Sequence, residues 1–241
     1  MILCPIMWYG NPRERDMDWG QFCIMFRSLF LEGFARPFDG VRLILKKLVR
    51  KFRELGGELK LKTGVSKIKV ENGRAIGVLL DSGEELTGSN ILSSAGAVET
   101  FKLCETDEDI HAHTTGQLSF VEAISTLDKY PRELGHDKTI VFYNDSETFH
   151  WERPTDDFCD VRTGVVCTPN NYCYDEKDGD LPDGIMRVTA LADYQRWRTL
   201  DKNSYQTEKD KWFEQVQASA ARFVPDYRPH IIDTDMFTPH T

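Results

Sequence analysis

A helical repeat of apolar residues runs through the first third of the chain. Its members are Val41, Ile44, Leu45, Leu48, Val49, Phe52 and Leu55, which recur three or four positions apart. This spacing predicts an amphipathic helix, because such positions share one face at the helical period. Asp39 stands where an N-cap is expected, and Gly56-Gly57 supplies a stop. Five basic residues occupy the opposite face: Lys46, Lys47, Arg50, Lys51 and Arg53.

The pattern then changes to alternation with a period of two, which predicts short strands. Leu59 and Leu61 predict a first strand, and Asn72-Gly73 predicts a tight hairpin between two longer strands. The alternating apolar positions of that hairpin are Ile68, Val70, Ile76, Val78 and Leu80. Residues 85–87 predict a further short strand after a turn at 81–83. The run at 91–96 predicts a buried strand that ends in Ser93-Ser94-Ala95-Gly96, where small residues permit close backbone approach.

The remaining chain predicts strands and helices in a mixed order. Residues 17–31 are apolar on nearly every face, which predicts either a buried helix or a helix lining an apolar channel. A long helix is predicted at 204–223. Five strands are predicted at 116–127, 139–143, 161–168, 185–192 and 230–237. The predicted fold class is therefore α/β in the mixed α+β sense, with an antiparallel or mixed sheet backed by helices.

Composition and charge exclude several function classes. The chain has 241 residues and a net charge of -9, which argues against nucleic acid as a partner. Six cysteines without a CxxC pair predict reduced thiols, and hence a cytoplasmic location. His111 and His113 lack a convincing third ligand, so no metal site is predicted. The acidic loop at 170–184 lacks the EF-hand order and is predicted to be a solvated loop.

The order of these elements resembles the middle of a known flavoprotein family. Residues 37–40 resemble a proline-x-glycine-glycine turn, and Gly56-Gly57 resembles the stop after the family's helix. The counterparts that follow are residues 65–68, Asn72-Gly73 and Ser94-Ala95-Gly96. Asp39 and Ser94 depart from the family pattern, which has glycine and asparagine there. The family is that of FAD-dependent phytoene desaturases, carotenoid isomerases and retinol saturases, which are related to amine oxidases.

The resemblance implies a cofactor, a substrate class and four site residues. It implies FAD in the intact enzyme, contacted by the backbone of Val65 and by Ser94, Ala95 and Gly96 at the strand end. It implies a long apolar, isoprenoid substrate whose C–C bonds either exchange hydride with the flavin or are isomerised by the reduced flavin. It also allows contact with a membrane surface. The implied domains are a helical part of the substrate domain at 1–36, a partial FAD-binding domain at 37–104 and a substrate-binding domain at 105–241. No catalytic residue is identified.

Two alternatives to a flavin enzyme of this family stay open. The chain contains no GxGxxG, which is the motif that holds the FAD pyrophosphate in such enzymes. We therefore expect an internal fragment of a longer enzyme, inactive alone. A non-catalytic module that binds a lipid or a partner protein is the first alternative. A relative of the amine oxidases acting on a polar amine is the second, and the apolar helix at 17–31 disfavours it.

Overall fold

The computed structural model describes residues 18–104, 119–147, 154 and 156–240. Within it the chain forms two compact units, which are described separately. The sheet unit contains Met1–Val41 and Gln117–Thr241, and the meander unit contains Arg42–Gly116. The predicted functional division at residues 36 and 104 stays a prediction.

The sheet unit begins with an apolar helical segment. Helix α1 spans Trp19–Phe26 and continues as a π-helix over Arg27–Glu32. Asp18 caps α1 by accepting a hydrogen bond from the Gln21 N–H at 3.0 Å. Neither helical piece contains a buried residue, so the prediction of a buried helix was wrong. In the described part of the chain, no helix combines the length and apolar character needed to cross a bilayer.

Five antiparallel strands form the centre of the sheet unit. Their bounds are β4 Ser119–Leu127, β5 Ile140–Asn144, β6 Cys159–Cys167, β7 Gly184–Ala192 and β8 Ile231–Phe237. The order across the sheet is β5-β6-β7-β4-β8, so β4 pairs with both β7 and β8. The predicted antiparallel sheet is confirmed, with each of its five strands close to its predicted position.

Two helices follow β7, and the longer one closes the core. Helix α4 spans Tyr194–Arg198, and α5 spans Lys202–Ala220 with contacts to β4, β6 and β7. Asp193 and Asp201 cap the two helices through side-chain oxygens that accept backbone N–H groups. Fully buried apolar residues fill the space between helix and sheet: Val121, Ala123, Val166, Val188, Ala190, Trp197, Val216 and Ala220.

A small polar network lies within this apolar core. Its central amide, that of Gln217, is hydrogen-bonded through both its nitrogen and its oxygen. Gln217 on α5 is 1% exposed, and its Nε2 donates to Ser125 Oγ at 2.7 Å. Tyr227 donates its hydroxyl hydrogen to Gln217 Oε1. Buried polar groups are tolerated when they are paired, so this network fixes the rotation of α5 on the sheet at little cost.

The meander unit consists of two helices and three short strands. Helix α2 spans Val41–Glu54 and α3 spans Ala97–Cys104; the strands are β1 Val65–Glu71, β2 Arg74–Leu80 and β3 Glu85–Thr87. The predicted hairpin is confirmed, with positive φ angles at Asn72 and Gly73. Helix α3 packs against β1.

Two predicted strands of the meander unit do not form. Residues 58–61 and 91–96 have no strand pairing, and Leu92 is 99% exposed. An apolar run becomes a strand only where a neighbouring backbone pairs with it, and none of the described strands does so here. The prediction of a buried strand ending at Gly96 was therefore wrong for this chain.

Candidate functional site

The candidate site in the meander unit is made of two exposed backbone segments. Val65 is the first residue of β1 and pairs with Leu80 across the hairpin, and it is 39% exposed. A register shift follows it, and Ser66 Oγ donates to the Leu79 carbonyl at 3.1 Å. Gly64 accepts the Asp81 N–H at 3.0 Å. The start of β1 is thus anchored, while Val65 keeps an accessible surface.

The second segment is the tight entry into α3. Ser94, Ala95 and Gly96 are all exposed, and Gly96 has a φ of +100° that favours glycine. Ser93 Oγ accepts the Ala95 N–H at 3.4 Å and bonds to Thr100 Oγ1 at 2.7 Å. A Cβ at position 96 would lie 2.6 Å from Glu99 Oε2. These contacts define the turn without covering its backbone.

Both predicted segments lie in the same unit and lead into elements that touch. Val65 begins β1, Gly96 directly precedes α3, and α3 packs against β1. Their contact with a flavin stays a prediction. The sequence predicted the apolar stripe of α2, which precedes both segments, but not its exposure. Ile44, Leu45, Leu48 and Phe52 on α2, and Leu55 just after it, are between 46% and 74% exposed.

Burial disfavours thiolate chemistry at two of the described cysteines, and no metal-binding cluster occurs among the described residues. Burial raises the pKa of the Cys159 and Cys167 thiols, which disfavours the nucleophilic thiolate at both. Burial also raises the pKa of Tyr143 to about 12. No group of three or more His, Cys, Asp or Glu residues that could hold a metal ion occurs within residues 18–104, 119–147 and 156–240. His111 and His113 lie outside the described residues.

His136 is a buried histidine whose lowered pKa predicts a pH dependence of stability. The ring is 6% exposed and its Nε2 lies 3.1 Å from Thr168 Oγ1. Burial lowers its pKa below the ordinary 6.5, while Asp137 and Lys138 act in opposite directions. Stability is therefore fully present above pH 6.5 and is lost as the pH falls through the lowered folded-state value.

We expect His136→Gln to flatten this dependence, because glutamine keeps a polar partner for Thr168 but cannot titrate. Urea unfolding of both proteins between pH 7.5 and 5 measures it, and the difference between the two curves isolates the histidine. If the free energy of unfolding falls with pH in parallel for wild type and variant, His136 is not the cause of the dependence.

The fold of the chain is that of part of a known oxidoreductase. The crystal structure of an oxidoreductase from Methanosarcina mazei matches with a TM-score of 0.54 and 14% identity. The match covers 83% of this chain and 42% of that one. At this identity the match establishes the fold alone. No family model matches the chain.

Sequence comparison finds similarity to enzymes whose names refer to carotenoids. Prolycopene isomerase 2 of an Oncidium hybrid cultivar, named as chloroplastic, is 35% identical over 217 residues, which are 87% of this chain and 35% of the relative. The chloroplastic prolycopene isomerase of Daucus carota is 26% identical over 212 residues, 87% of this chain and 34% of the relative. Phytoene desaturase of Fusarium fujikuroi is 31% identical over 84 residues, 34% of this chain and 15% of the relative.

The chain is therefore a relative of the prolycopene isomerase and phytoene desaturase family, and the predicted resemblance is confirmed over most of its length. It spans about a third of the length of the prolycopene isomerases that it matches.

Proposed function

We propose that the chain is a segment of an FAD-dependent, phytoene desaturase-like oxidoreductase that acts on C–C bonds of a long apolar isoprenoid. The observation that carries this proposal is the 35% identity with a prolycopene isomerase over 217 residues. A bound flavin supplies hydride transfer to or from the substrate. The protein's task in such chemistry is to bind, to orient and to exclude water.

The meander unit is proposed to be part of the FAD-binding domain. Among the described residues of this unit, the buried apolar ones are Ile68 and Leu80, whereas the sheet unit contains most of the buried core. So small a buried apolar area contributes little to stability. The open face of α2 and the exposed run at 91–96 support the proposal that further polypeptide completes this domain.

Within that domain, Val65 and Ser94, Ala95 and Gly96 are proposed to contact the adenosine end of FAD. The exposure of the residues at both segments fits a flat base held by backbone contacts. Gly96 has no Cβ that would obstruct close approach to its backbone. The chain has no GxGxxG motif, so the pyrophosphate is proposed to be held by residues outside these 241.

The apolar helical segment of the sheet unit is proposed to contact the substrate. Trp19, Phe22, Phe26 and Phe30 form a ladder along it, with ring centroids 5.3, 5.8 and 4.9 Å apart. Trp19 is 74% exposed. Such a surface suits a polyene or the interface of a membrane, and peripheral membrane contact is part of this proposal.

A second candidate is a lipid-binding module without redox chemistry, because the same exposed ladder would serve it. The amine oxidase alternative is disfavoured by the carotenoid-related names of the relatives. Those prolycopene isomerases are named chloroplastic, whereas the cytoplasmic location predicted here stays a prediction for this chain.

We expect the purified 241-residue chain to be colourless, because it lacks the pyrophosphate-binding motif. The measurement is the visible absorption spectrum after incubation with excess FAD and desalting, with an established flavoprotein treated alongside as the control. Retention of one flavin per chain would contradict the proposal that the pyrophosphate of FAD is held by residues outside these 241.

A further inference from the structure

The loop at residues 168–183 joins β6 to β7, and side-chain hydrogen bonds fix its base. The base is the 3-10 turn Pro169–Asn171. Asn171 is 4% exposed, and its Nδ2 donates to the carbonyls of His136 at 2.8 Å and Lys138 at 2.9 Å. The sequence predicts a solvated loop here, and the structure adds that its base is anchored to the segment that precedes β5.

His136 also contacts the base of this loop through its side chain. The ring is 6% exposed, and its Nε2 lies 3.1 Å from Thr168 Oγ1. Thr168 donates its own hydroxyl hydrogen to Met186 Sδ at 3.3 Å, so its oxygen accepts the Nε2–H of a neutral imidazole. Thr168 and Met186 are themselves buried. The loop base therefore depends on a hydrogen bond from a buried, neutral histidine.

Tyr174 connects this loop to the segment at residues 33–40, which leads from the apolar helical segment to α2. Both belong to the sheet unit. The Tyr174 hydroxyl donates to the Pro169 carbonyl at 2.9 Å and accepts a hydrogen bond from Arg36 Nη1 at 2.7 Å. The rings of Tyr174 and Phe38 meet edge-on, with centroids 5.2 Å apart. One tyrosine thus ties the segment to the 3-10 turn at the loop base.

Burial is the main influence on the titration of His136. It lowers the pKa of the ring below the ordinary 6.5, while Asp137 acts to raise that pKa and Lys138 to lower it. The two charged residues of the preceding 3-10 turn, Arg132 and Glu133, are hydrogen-bonded to backbone atoms. The closed loop therefore favours a neutral ring.

The strand and loop residues around the His136 ring present neutral groups to it. They are Thr168, Met186 and Asn171. Cys167 precedes this contact in β6, and burial raises the pKa of its thiol, which keeps it neutral. Arg187 follows Met186 in β7, so it lies on the opposite face of the sheet, where its Nε donates to Glu122 Oε1 at 2.6 Å. A charge on the ring would therefore be opposed chiefly by its burial.

We propose that acid opens the base of this loop and thereby releases the segment at residues 33–40. A proton on His136 places a charge in a buried site, and the open loop relieves that cost because the ring then reaches water. Opening moves the 3-10 turn that carries Pro169, whose carbonyl is the acceptor for Tyr174. The contacts of Tyr174 with the segment at 33–40 then weaken as well. None of these residues belongs to the proposed flavin contacts.

The direction and the size of the effect follow from the two states of the loop. His136 has a lowered pKa in the closed loop and the ordinary 6.5 in the open one. Opening is therefore suppressed above pH 6.5 and becomes more frequent as the pH falls below it, down to the lowered value. Between pH 7.5 and 5.5 the increase is up to roughly tenfold, the limit for a ring that stays neutral while the loop is closed.

Two measurements on the full 241-residue chain follow the two steps. Amide hydrogen exchange in the peptide at 168–176, corrected for the intrinsic effect of pH, reports opening of the loop base. Three backbone N–H groups there are hydrogen-bonded, those of Thr168, Asn171 and Tyr172. Cleavage by chymotrypsin after Phe38 reports release of the second segment, and an unstructured peptide of the same sequence corrects for the enzyme's own pH profile. In the wild-type chain we expect both to increase as the pH falls from 7.5 to 5.5.

Three variants separate the steps. His136→Gln keeps a polar partner for Thr168 but cannot titrate, so it should abolish both increases. Tyr174→Phe keeps the ring beside Phe38 and removes both hydroxyl hydrogen bonds, so it should abolish the increase in cleavage alone. His230→Gln is the matched control, because His230 pairs with Asp128 at 2.9 Å away from the loop, and it should leave both increases in place.

Exchange in α5 at residues 212–220 distinguishes local opening from global unfolding. The loop base should exchange faster than α5 and respond little to low concentrations of urea, because local opening exposes little surface. Exchange of the loop base only at the rate of α5, or a pH dependence that persists in His136→Gln, would overturn the proposal. An increase at 168–176 in the wild-type chain without increased cleavage after Phe38 would refute the release of the second segment.

Discussion

Trp197→Ala should destabilise the sheet unit by about 3–5 kcal/mol, which is the cost typical of removing a large buried aromatic side chain. Trp197 is 0% exposed and makes edge-on contacts with Phe158 and Tyr205, with ring centroids 5.3 and 5.8 Å away. Its Nε1 donates to the Phe158 carbonyl at 3.2 Å. The alanine variant leaves a cavity and removes one of the two hydrogen bonds that the Phe158 carbonyl accepts, the other coming from the Asp193 N–H at 3.0 Å. Urea unfolding followed by circular dichroism measures the loss.

Trp19→Ala is the matched control for this prediction. Trp19 is 74% exposed and lies on the apolar helical segment, so its removal should change the free energy of unfolding by about 0.5 kcal/mol or less. Equal effects of the two substitutions would mean that the core does not lie where the structure has it.

Gly184→Ala should cost about 2–3 kcal/mol because it forces a side chain against backbone. Gly184 begins β7 and pairs with Leu127 of β4. A Cβ there would lie 2.0 Å from the Lys129 carbonyl oxygen and 3.0 Å from its carbon. Backbone cannot yield as a flexible side chain does, so the end of the β4–β7 ladder must move. The unfolding midpoint in urea measures the effect.

Gly179→Ala provides the comparison within the same unit. Gly179 has a φ of +71°, but a Cβ there meets nothing within 4 Å. This variant should cost about 1 kcal/mol through backbone strain alone. If the Gly184 variant is as stable as the Gly179 variant, or more stable, the β4–β7 ladder tolerates the added side chain.

Much of the fold could be predicted because local signals and tertiary contacts agree. Asn72-Gly73 specifies its hairpin through two positive φ angles, which depend on no distant residue. The apolar face of α5 has a sheet to cover it, so Trp212 and Val216 are buried as their spacing predicts. In these elements the sequence pattern and the tertiary contacts favour the same structure.

The structure departs from the sequence predictions where an apolar segment has no neighbouring element to cover it. Residues 91–96 read as a buried strand, yet Leu92 is 99% exposed because no described strand pairs with them. Helix α2 forms as predicted, although its apolar stripe stays exposed. Periodicity identifies an element, but it does not tell whether a surface exists to cover that element.

Of the candidate site residues, some could be selected from the sequence and others could not. Val65 and Gly96 could be selected because the resemblance to the flavoprotein family assigns both positions, and their contact with FAD stays a prediction. The contact of Tyr130 with the loop at residues 170–181 could not be predicted, because it joins positions about 40 to 50 apart in the chain. The tyrosines and acids of that loop are equally typical of a solvated loop.

The flavin content of the polypeptide encoded by the complete reading frame that contains these 241 residues tests the central claim most directly. We expect about one FAD per polypeptide, which is released on denaturation and identified by chromatography. A complete product that carries no FAD, or one in which FMN takes its place, would contradict it.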